Sequence, residues 1–275
     1  MMAFSLPQFL LGVVLAALIA YAAHRVRALS DSGAIAAGLL GTVFFGLGGL
    51  RWAALLLAFF ISSSALSRLF RQRKATLDEK FSKGSERDAA QVAANGGVAG
   101  LFVLLHVFFP NALWPWWACA GALAAANADT WATELGVLSR SAPRLITSLR
   151  PVERGTSGGI SPTGTWAALA GGLLVGLTAA LCRPGGPGPA AEVVLALLWI
   201  GLAGLFGSLV DSALGATLQA IYTCPACQKE TERHPRHTCG APTTLQRGLP
   251  WLDNDWVNTA CTLAGALAGL LALTI

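Results

Sequence analysis

Charge is scarce in this sequence. Asp, Glu, Lys and Arg make up only 12% of its 275 residues, whereas 54% of the residues are hydrophobic. A soluble globular domain carries charge on about 25% of its residues. The deficit excludes an ordinary soluble protein and indicates one integral membrane domain, residues 1–275. The predicted fold class is all-α, a polytopic bundle of transmembrane helices with a small cytoplasmic zinc-binding loop.

Apolar segments near the length of a membrane span recur along the chain. A spanning helix needs about 20 mostly apolar residues, and eight segments come close to that length. The seventh is long enough for us to expect a bend or a break, and the "WPWW" at 114–117 is typical of an interfacial tryptophan belt. The predicted helices are 6–23, 33–49, 52–67, 89–109, 113–138, 162–181, 193–221 and 253–275.

Basic residues are nearly absent from every second loop. With the N-terminus outside, the inner loops hold 17 of the 19 Lys and Arg residues, and only Arg51 and Arg183 lie outside. Because basic residues favour the cytoplasmic side, we predict this topology, a bacterial inner membrane location and a functional site on the cytoplasmic face. The basic residues are spread over four short loops, so we expect no nucleic-acid partner.

Basic residues are also missing from the spans that carry the deepest acids, Asp129 and Asp211. Ionisable groups inside membrane spans indicate function. Two acids on separate helices can be neutralised together by a proton, a basic residue or a metal ion, and neither span holds a basic residue. Mg²⁺ suits hard oxygen ligands and also holds phosphates. We predict that Asp129 and Asp211 bind Mg²⁺, with Glu134 assisting, and that Asn95 and Asn127 orient metal-bound water or phosphate. For Glu134, a helix end that reaches into water is the alternative.

The loop "RPVERGTSGGISPTGT" (150–165), which we call the glycine loop, lacks the Gly-Lys-Ser/Thr ending of a P-loop. It nevertheless holds four glycines and five hydroxyl residues within eleven positions. Ser161 suits an N-cap and Pro162 the first helical position, so a helix N-terminus with partial positive charge follows the loop. The alternative is a flexible turn between helices. The predicted phosphate-binding residues are Arg154, Gly155, Thr156, Ser157, Gly158, Gly159 and Ser161.

Cysteine is sparse, yet half of the six cysteines fall within residues 224–239, where two histidines accompany them. A cytoplasmic location argues against disulfides. Three sulfurs and one imidazole form a closed tetrahedral zinc site, which is a structural kind of site. We predict such a site in loop 222–247, inserted between the last two helices; a cluster without metal is the alternative. The predicted ligands are Cys224, Cys227, His237 and Cys239, with His234 as the alternative histidine.

Five collinear motifs resemble the hallmark segments of the transmembrane protein 19 family, to which plant phytyl-phosphate kinase belongs. They are "RDAAQVAANGG", "NADTWATELG", "GTSGGISPTGT", "DSALGATLQ" and "GLPWLDNDWVN", and the resemblance runs from about Asp31 to the C-terminus. It implies phosphoryl transfer from a nucleoside triphosphate, CTP first among them, to a prenyl monophosphate in the membrane. More distantly, Asp129, Ala132 and Gly136 followed by the glycine loop resemble an element of CTP-using enzymes of lipid metabolism.

Three other functions compete with this isoprenoid kinase. Acids inside helices and glycine-interrupted spans are also transporter features, but the sequence shows no internal repeat and its polar clusters gather on one face. A CTP-dependent lipid nucleotidyltransferase would use the same metal, triphosphate and lipid phosphate. A structural role leaves the intramembrane acids unexplained. The prenyl chain length, the nucleotide base and the oligomeric state stay open.

Overall fold

A computed structural model describes residues 5–74, 80 and 86–274, and each of the eight predicted segments is helical in it. Six helical segments are long and apolar enough to cross a membrane. The two outside that group are α8, with only 17 residues, and α5, which carries several polar side chains. The helices are α1 Leu6–Arg25, α2 Asp31–Thr42, α3 Leu50–Lys74, α4 Ala89–Phe108, α5 Trp114–Gly136, α6 Pro162–Leu181, α7 Ala190–Thr217 and α8 Asn254–Leu270.

Helix α5 is the centre of the bundle. It packs against α3, α4, α6, α7 and α8, and every residue from Pro115 to Ala128 is buried. Its alanines and glycines let neighbouring backbones come close: a Cβ at Gly121 would lie 2.1 Å from the carbonyl oxygen of Gly265 on α8. Small residues at such crossings are typical of helix packing in membranes. Because α5 faces protein on all sides, it needs less apolar character than a lipid-facing span.

Two expectations about individual segments need correction. Helix α7 is not broken, because it is continuous over 28 residues. The irregular segment is the second, where α2 passes into a π-helical segment, Val43–Gly48, before α3 begins. The tryptophans of "WPWW" do not form a surface belt as a group, because Trp116 and Trp117 are both buried. The indole N–H of Trp116 donates to the carbonyl of Ala179 at 3.2 Å, so it joins α5 to α6.

The connections that follow α1, α3, α5 and α7 meet at one end of the bundle. Leu29 of the first connection forms a β-bridge with Arg87 of the second. Lys80, also in the second, pairs with Glu153 of the third at 2.7 Å. The backbone N–H of Glu232, in the fourth, donates to the carbonyl of Lys80 at 2.9 Å. Four connections far apart in sequence therefore form one surface, which we call the inner end of the bundle.

The two basic residues that the topology prediction places on the outer side lie together at the opposite end of the bundle. Arg51 begins α3 and Arg183 follows α6, and the Arg51 guanidinium donates to the Arg183 carbonyl at 3.3 Å. The ends of the helices thus alternate between two faces, as eight crossing segments require. The 17-to-2 distribution of basic residues coincides with this alternation.

The all-α prediction misses two small sheets. Strands β1 Arg144–Leu145 and β2 Gly159–Ile160 pair before α6. Strands β3 Ile221–Cys224, β4 Lys229–Thr231 and β5 Thr244–Arg247 form an antiparallel sheet in the order β4-β3-β5. We call residues 221–247 the Cys/His module. Strands of two to four residues carry too little alternation to be recognised, so what was predicted as a loop is a short sheet.

Candidate functional site

A cavity of about 690 Å³ opens among the elements of the inner end, and its volume is in the range of small-molecule sites. It is lined by the last turns of α3, α5 and α7, by the first turns of α4, α6 and α8, and by the glycine loop. Of the predicted catalytic and phosphate-binding residues, the cavity gathers all but Asn127. These are Asn95, Asp129, Glu134, Arg154, Gly155, Thr156, Ser157, Gly158, Gly159, Ser161 and Asp211.

The two acids that are predicted to bind magnesium lie on neighbouring helices, and both line this cavity. Asp129 of α5 and Asp211 of α7 are close enough for their charges to interact. The hydroxyl of Ser208 donates to Asp129 Oδ1 at 3.4 Å. Asp211 Oδ2 is buried and has no hydrogen-bond partner among the described residues. A buried carboxylate oxygen without a donor fits a ligand of a hard cation.

Two carboxylates suit Mg²⁺ better than a site in which the protein supplies every ligand. Within the described ranges no third acid joins Asp129 and Asp211 at ligand distance. Mg²⁺ is usually held by one or two carboxylates and completes its octahedron with water and substrate phosphates. The donor set therefore fits a magnesium ion that arrives with a phosphate ligand.

Glu134 is buried in the wall of the cavity and does not reach into water. It is 5% exposed, and its Oε1 accepts a hydrogen bond from the Ser67 hydroxyl at 2.8 Å. Its charge also acts on the guanidinium of Arg87. Glu134 thus belongs to the side of the cavity formed by α3 and the start of α4.

Arg87 is a cavity residue that the sequence analysis missed, because it ends a basic run typical of a solvated loop. Its guanidinium donates to Ser63 Oγ at 3.0 Å and to Ser64 Oγ at 3.4 Å. Burial lowers the pKa of Arg87 to about 10, although the charge of Glu134 opposes the shift. The side chain is therefore cationic at neutral pH. Its position directly before the Asp88 capping box of α4 was the signal that could have identified it.

Asn127 lies outside the cavity lining. It is fully buried; its Oδ1 accepts from the Ser62 hydroxyl at 2.9 Å, and its Nδ2 donates to the Gly171 carbonyl at 2.8 Å. Both polar atoms thus join α5 to α3 and α6, and neither is directed to a phosphate. Asn95, by contrast, lines the cavity, and its amide donates to the Gln91 carbonyl one turn earlier at 3.0 Å.

The glycine loop is a folded turn that ends in a capped helix. The Ser161 hydroxyl accepts from the N–H of Gly164 at 3.1 Å, which confirms the predicted N-cap of α6. The N–H groups of Thr156 and Gly159 donate to carbonyls inside the loop. Those of Gly155, Ser157 and Gly158 have no partner in the part of the chain that the structure describes. Loops of this kind beside a helix N-terminus are typical anion-binding sites, and these three residues line the cavity there.

Arg154 adds a cation to this loop. One of its terminal nitrogens donates to the Ser139 carbonyl at 2.6 Å, which holds the guanidinium at the cavity wall. Arginine has five N–H donors, so the others are available to an anion. Among the described residues, Arg154 and Arg87 are the arginines that line the cavity. A site that pairs two arginines and three N–H groups with two carboxylates suits phosphates bound together with a metal ion.

The Cys/His module brings its four predicted zinc ligands together. The ligand atoms of the four residues lie within 4.8 Å of one another; Cys224 Sγ is 3.6 Å from Cys239 Sγ, and His237 Nδ1 is 3.3 Å from the same sulfur. Ligands about 2.0–2.3 Å from one tetrahedral zinc ion would be about 3.5–3.8 Å apart. His234 instead stacks on Tyr222 with a centroid distance of 4.4 Å. The cluster Cys224, Cys227, His237 and Cys239 can hold a metal ion.

Hydrogen bonds from the Cys/His module and from Gln219 beside it hold the glycine loop in place. The Ser157 hydroxyl donates to Gln219 Oε1 at 2.7 Å, and the Gln219 amide donates to Glu232 Oε1 at 2.9 Å. Arg247 of β5 donates to the carbonyls of Gly215 and Ser157 at 2.9 and 3.5 Å. The loop is thus fixed to the end of α7 by residues that flank the cysteine cluster, so the shape of the cavity depends on the fold of the module.

Comparison with known proteins gives one family and several relatives over nearly the full length. Residues 14–266 match the family described as integral membrane protein DUF92. Protein PGR of Arabidopsis thaliana is 37% identical over an alignment of 277 positions that covers 92% of each chain. An uncharacterized membrane protein of Methanocaldococcus jannaschii is 29% identical, with 97% of this chain and 95% of that one covered. One of Synechocystis sp. is 30% identical, with 84% and 77% covered.

No solved structure matches the chain. The sequence matches confirm the family resemblance that the five motifs carry. The match to the DUF92 family begins inside α1 and ends inside α8, so the bundle is included with all the motifs that line the cavity.

Proposed function

Because the chain belongs to the DUF92 family of integral membrane proteins, we propose that it is a membrane-embedded, Mg²⁺-dependent phosphotransferase. It converts a prenyl, phytyl-like monophosphate into the diphosphate with a nucleoside triphosphate as donor. The observation that carries the proposal is the single cavity that combines Asp129, Asp211, Arg154 and the glycine loop at one end of a membrane bundle. CTP is the donor implied by the family resemblance.

The reaction needs little covalent help from the protein. An oxygen of the lipid monophosphate attacks the γ-phosphorus, the bond to the bridging oxygen breaks, and the nucleoside diphosphate leaves with that electron pair. The attacking phosphate is already ionised, so no strong general base is required. Catalysis then consists of positioning and of charge neutralisation, which matches a cavity rich in fixed donors and carboxylates.

Each wall of the cavity has its own task in this proposal. Asp129 and Asp211 would hold Mg²⁺, which neutralises charge on the phosphates when it is bound. The N–H groups of Gly155, Ser157 and Gly158, together with Arg154, hold the nucleotide phosphates. Donors fixed before the reaction stabilise developing charge without reorganisation. Asn95 lines the cavity from α4, where it can orient water or the accepting phosphate.

A transporter is a weaker explanation of the same residues. Transporters bind their substrates near the midplane of the membrane, between repeated halves. Here the polar cavity lies at the inner end, among four connections that meet there. The basic residues of these connections support a cytoplasmic location of the cavity and an outside N-terminus in a bacterial inner membrane.

The cysteine cluster completes the proposal as a structural zinc site. Four ligands leave no open position for substrate, and the sheet around them is too small to have a core of its own. Zinc bound to Cys224, Cys227, His237 and Cys239 would stabilise the Cys/His module, and through it the glycine loop.

The decisive test is product identification with purified protein. Prenyl monophosphates are incubated with Mg²⁺ and each nucleoside triphosphate in turn, and the lipid product is identified by mass. A prenyl diphosphate supports the proposal, and the best donor shows the base preference. A lipid that carries the nucleoside would show a nucleotidyltransferase instead. The absence of any lipid product with all donors, from protein that is folded and metal-loaded, would show that the proposal is wrong.

A further inference from the structure

A second cavity, which we call the apolar crevice, lies between α1, α2, α3 and α4. Apolar side chains from these helices form nearly all of its lining, among them Ala16, Ala37, Phe45 and Phe60. Its polar lining residues are Arg87, Gln91 and Asn95. Among the described residues, these three are also the ones that the crevice shares with the polar cavity. The two spaces are therefore neighbours that meet at one polar boundary.

We propose that the apolar crevice binds the first part of the isoprenoid chain of the lipid monophosphate, with its phosphate at Arg87. This inference rests on the proposed function and adds to it the site of the acceptor substrate. The lipid would lie across the boundary between the two spaces. Its phosphate would enter the polar cavity from the α4 side, facing the glycine loop and the nucleotide.

Charge at the boundary matches a phosphate. Arg87 is cationic at neutral pH; two of its N–H groups are used by Ser63 and Ser64, and the charge of Glu134 also acts on it. Its five donors leave others for an anion, and a guanidinium binds phosphate oxygens in pairs. The same guanidinium lies 5.5 Å from the centre of the Phe59 ring, and Phe59 lines the crevice. One side chain thus contacts both a hydrocarbon surface and the polar cavity.

The size of the apolar crevice sets how much of the chain it holds. Its volume is about 60 Å³, and one water-sized sphere takes roughly 10–15 Å³ by this measure. It is therefore too small for a whole isoprenoid chain and can hold only the carbon atoms nearest the phosphate. The rest of the chain would lie among the membrane lipids. We expect the protein to recognise the phosphate and the first unit and to tolerate different chain lengths beyond it.

The crevice positions the lipid substrate more than it adds to the free energy of lipid binding. The hydrocarbon chain comes from a bilayer, which is as apolar as the crevice, so its transfer contributes little free energy. Its contribution is to place the phosphate against Arg87, Gln91 and Asn95. Filling the crevice should therefore exclude the chain sterically and impair binding of the lipid without affecting the nucleotide.

The test compares adjacent alanines on α2. Ala37 lines the crevice, whereas Ala36 precedes it outside the lining. We expect Ala37→Phe to raise the KM for geranylgeranyl monophosphate about tenfold or more, with the triphosphate KM within twofold of wild type. Ala36→Phe should leave both unchanged. Equal effects of the two variants, or an unchanged lipid KM in a folded Ala37→Phe protein, would overturn the inference.

Arg87 has its own pair of variants. Arg87→Gln removes the charge and should raise the lipid KM more than the triphosphate KM, and Arg87→Lys should recover part of the loss. If Arg87 served only to hold Ser63 and Ser64, both variants would lower thermal stability alike and leave the ratio of the two KM values unchanged. That result would overturn the assignment of the phosphate to Arg87.

A binding experiment separates this inference from the proposed function. A prenyl monophosphate with a photoreactive diazirine in its first isoprene unit is irradiated with the full-length protein in membranes, and labelled peptides are mapped. Labels in α2 and at the start of α4 support the crevice even if no turnover is found, in which case only the proposed function fails. Labels confined to other helices overturn the crevice even if the protein is an active kinase.

Discussion

At the scale of single residues, buried polar groups in this protein fall into two kinds. Asn127 has both polar atoms satisfied by neighbouring helices, and the result is a stable crossing. Asp211 leaves a buried carboxylate oxygen without a donor among the described residues, which is costly unless a cation joins it. The hydrogen-bond partners, more than the polarity of the side chain, separate a packing residue from a candidate ligand.

The acids Asp129 and Asp211 should be essential for turnover. Asp129→Asn and Asp211→Asn keep the side-chain shape and remove the charge, so each should lower kcat about 100-fold or more. The double variant should be little worse than either single one, because each already breaks the same metal site. Asp31→Asn is the control, since Asp31 is 94% exposed in its side chain. Near-normal phosphoryl transfer in either variant, or activity that is indifferent to EDTA, would contradict the assignment.

Asn127 should matter for stability rather than for chemistry. Asn127→Ala leaves the Ser62 hydroxyl and the Gly171 carbonyl without their partner inside the bundle, at a cost of about 1–3 kcal/mol. We expect a lower melting temperature in detergent and, for the folded fraction, a kcat within about twofold of wild type. Asn111→Ala, at an exposed position, should change neither. A large loss of kcat at unchanged stability would restore Asn127 as a catalytic residue.

At the scale of elements, the glycine loop depends on its contact with α7. Gly158 has φ +84°, and a Cβ there would lie 2.5 Å from the backbone nitrogen of Ala216. Both facts require glycine, because a side chain would be strained in this conformation and would also push the loop off the helix. The close backbone contact between Gly158 and Ala216 thus fixes the position of the loop against α7.

Replacement of Gly158 should weaken nucleotide binding. We expect Gly158→Ala to raise the triphosphate KM about tenfold, which corresponds to about 1.4 kcal/mol, with a smaller change in the lipid KM. Gly97→Ala is the matched control: it lies inside α4, and a Cβ there has nothing within 4 Å. Titration with the triphosphate at saturating lipid measures the effect. A wild-type triphosphate KM in Gly158→Ala would exclude the loop as the phosphate site.

The Cys/His module should couple its metal to the cavity. Cys224→Ser removes a buried ligand, so zinc content measured by elemental analysis and the melting temperature should both fall. Because Ser157 reaches Glu232 through Gln219, the folded fraction should also show a raised triphosphate KM. Cys119→Ser is the control for loss of a buried thiol outside the cluster. Purified wild-type protein without zinc would show that the site does not bind this metal.

At the scale of the whole molecule, the four connections of the inner end determine what the bundle can do. They lie between α1 and α2, α3 and α4, α5 and α6, and α7 and α8. The second connection contacts each of the other three, and the third also contacts the fourth. The cavity exists only because all of these pieces lie on one face. A bundle with one helix fewer in the middle would place them on opposite faces.

The topology can be measured with cysteines at two exposed positions. Ala142 lies in the connection after α5, and Pro187 lies in the connection after α6. In a Cys182→Ser background, a membrane-impermeant thiol reagent on intact bacterial cells should label Pro187→Cys and leave Ala142→Cys unlabelled until the cells are opened. The reverse pattern would invert the topology. Labelling of both positions in sealed cells would contradict the alternation of faces.

The sequence by itself determined the membrane class, the eight helical segments and eleven of the residues that line the cavity. Low charge and the length of the apolar segments are local properties of the chain, so they can be recognised without knowledge of the fold. The N-cap at Ser161 and the cluster of Cys224, Cys227, His237 and Cys239 were found for the same reason. Only the tertiary structure separated Asn127 from the cavity, because its partners are 65 and 44 residues away.

The position of Arg87 in the cavity wall and the existence of the apolar crevice likewise depend on how the helices pack. Arg87 ends a basic run that is typical of a solvated loop, and the sequence cannot show that its β-bridge to Leu29 places it in the cavity wall. The crevice is formed by a few residues from each of four helices, and apart from the three polar residues at its boundary they look like ordinary apolar packing residues. A void between helices is a property of how surfaces fit together, and no local pattern in the chain records it.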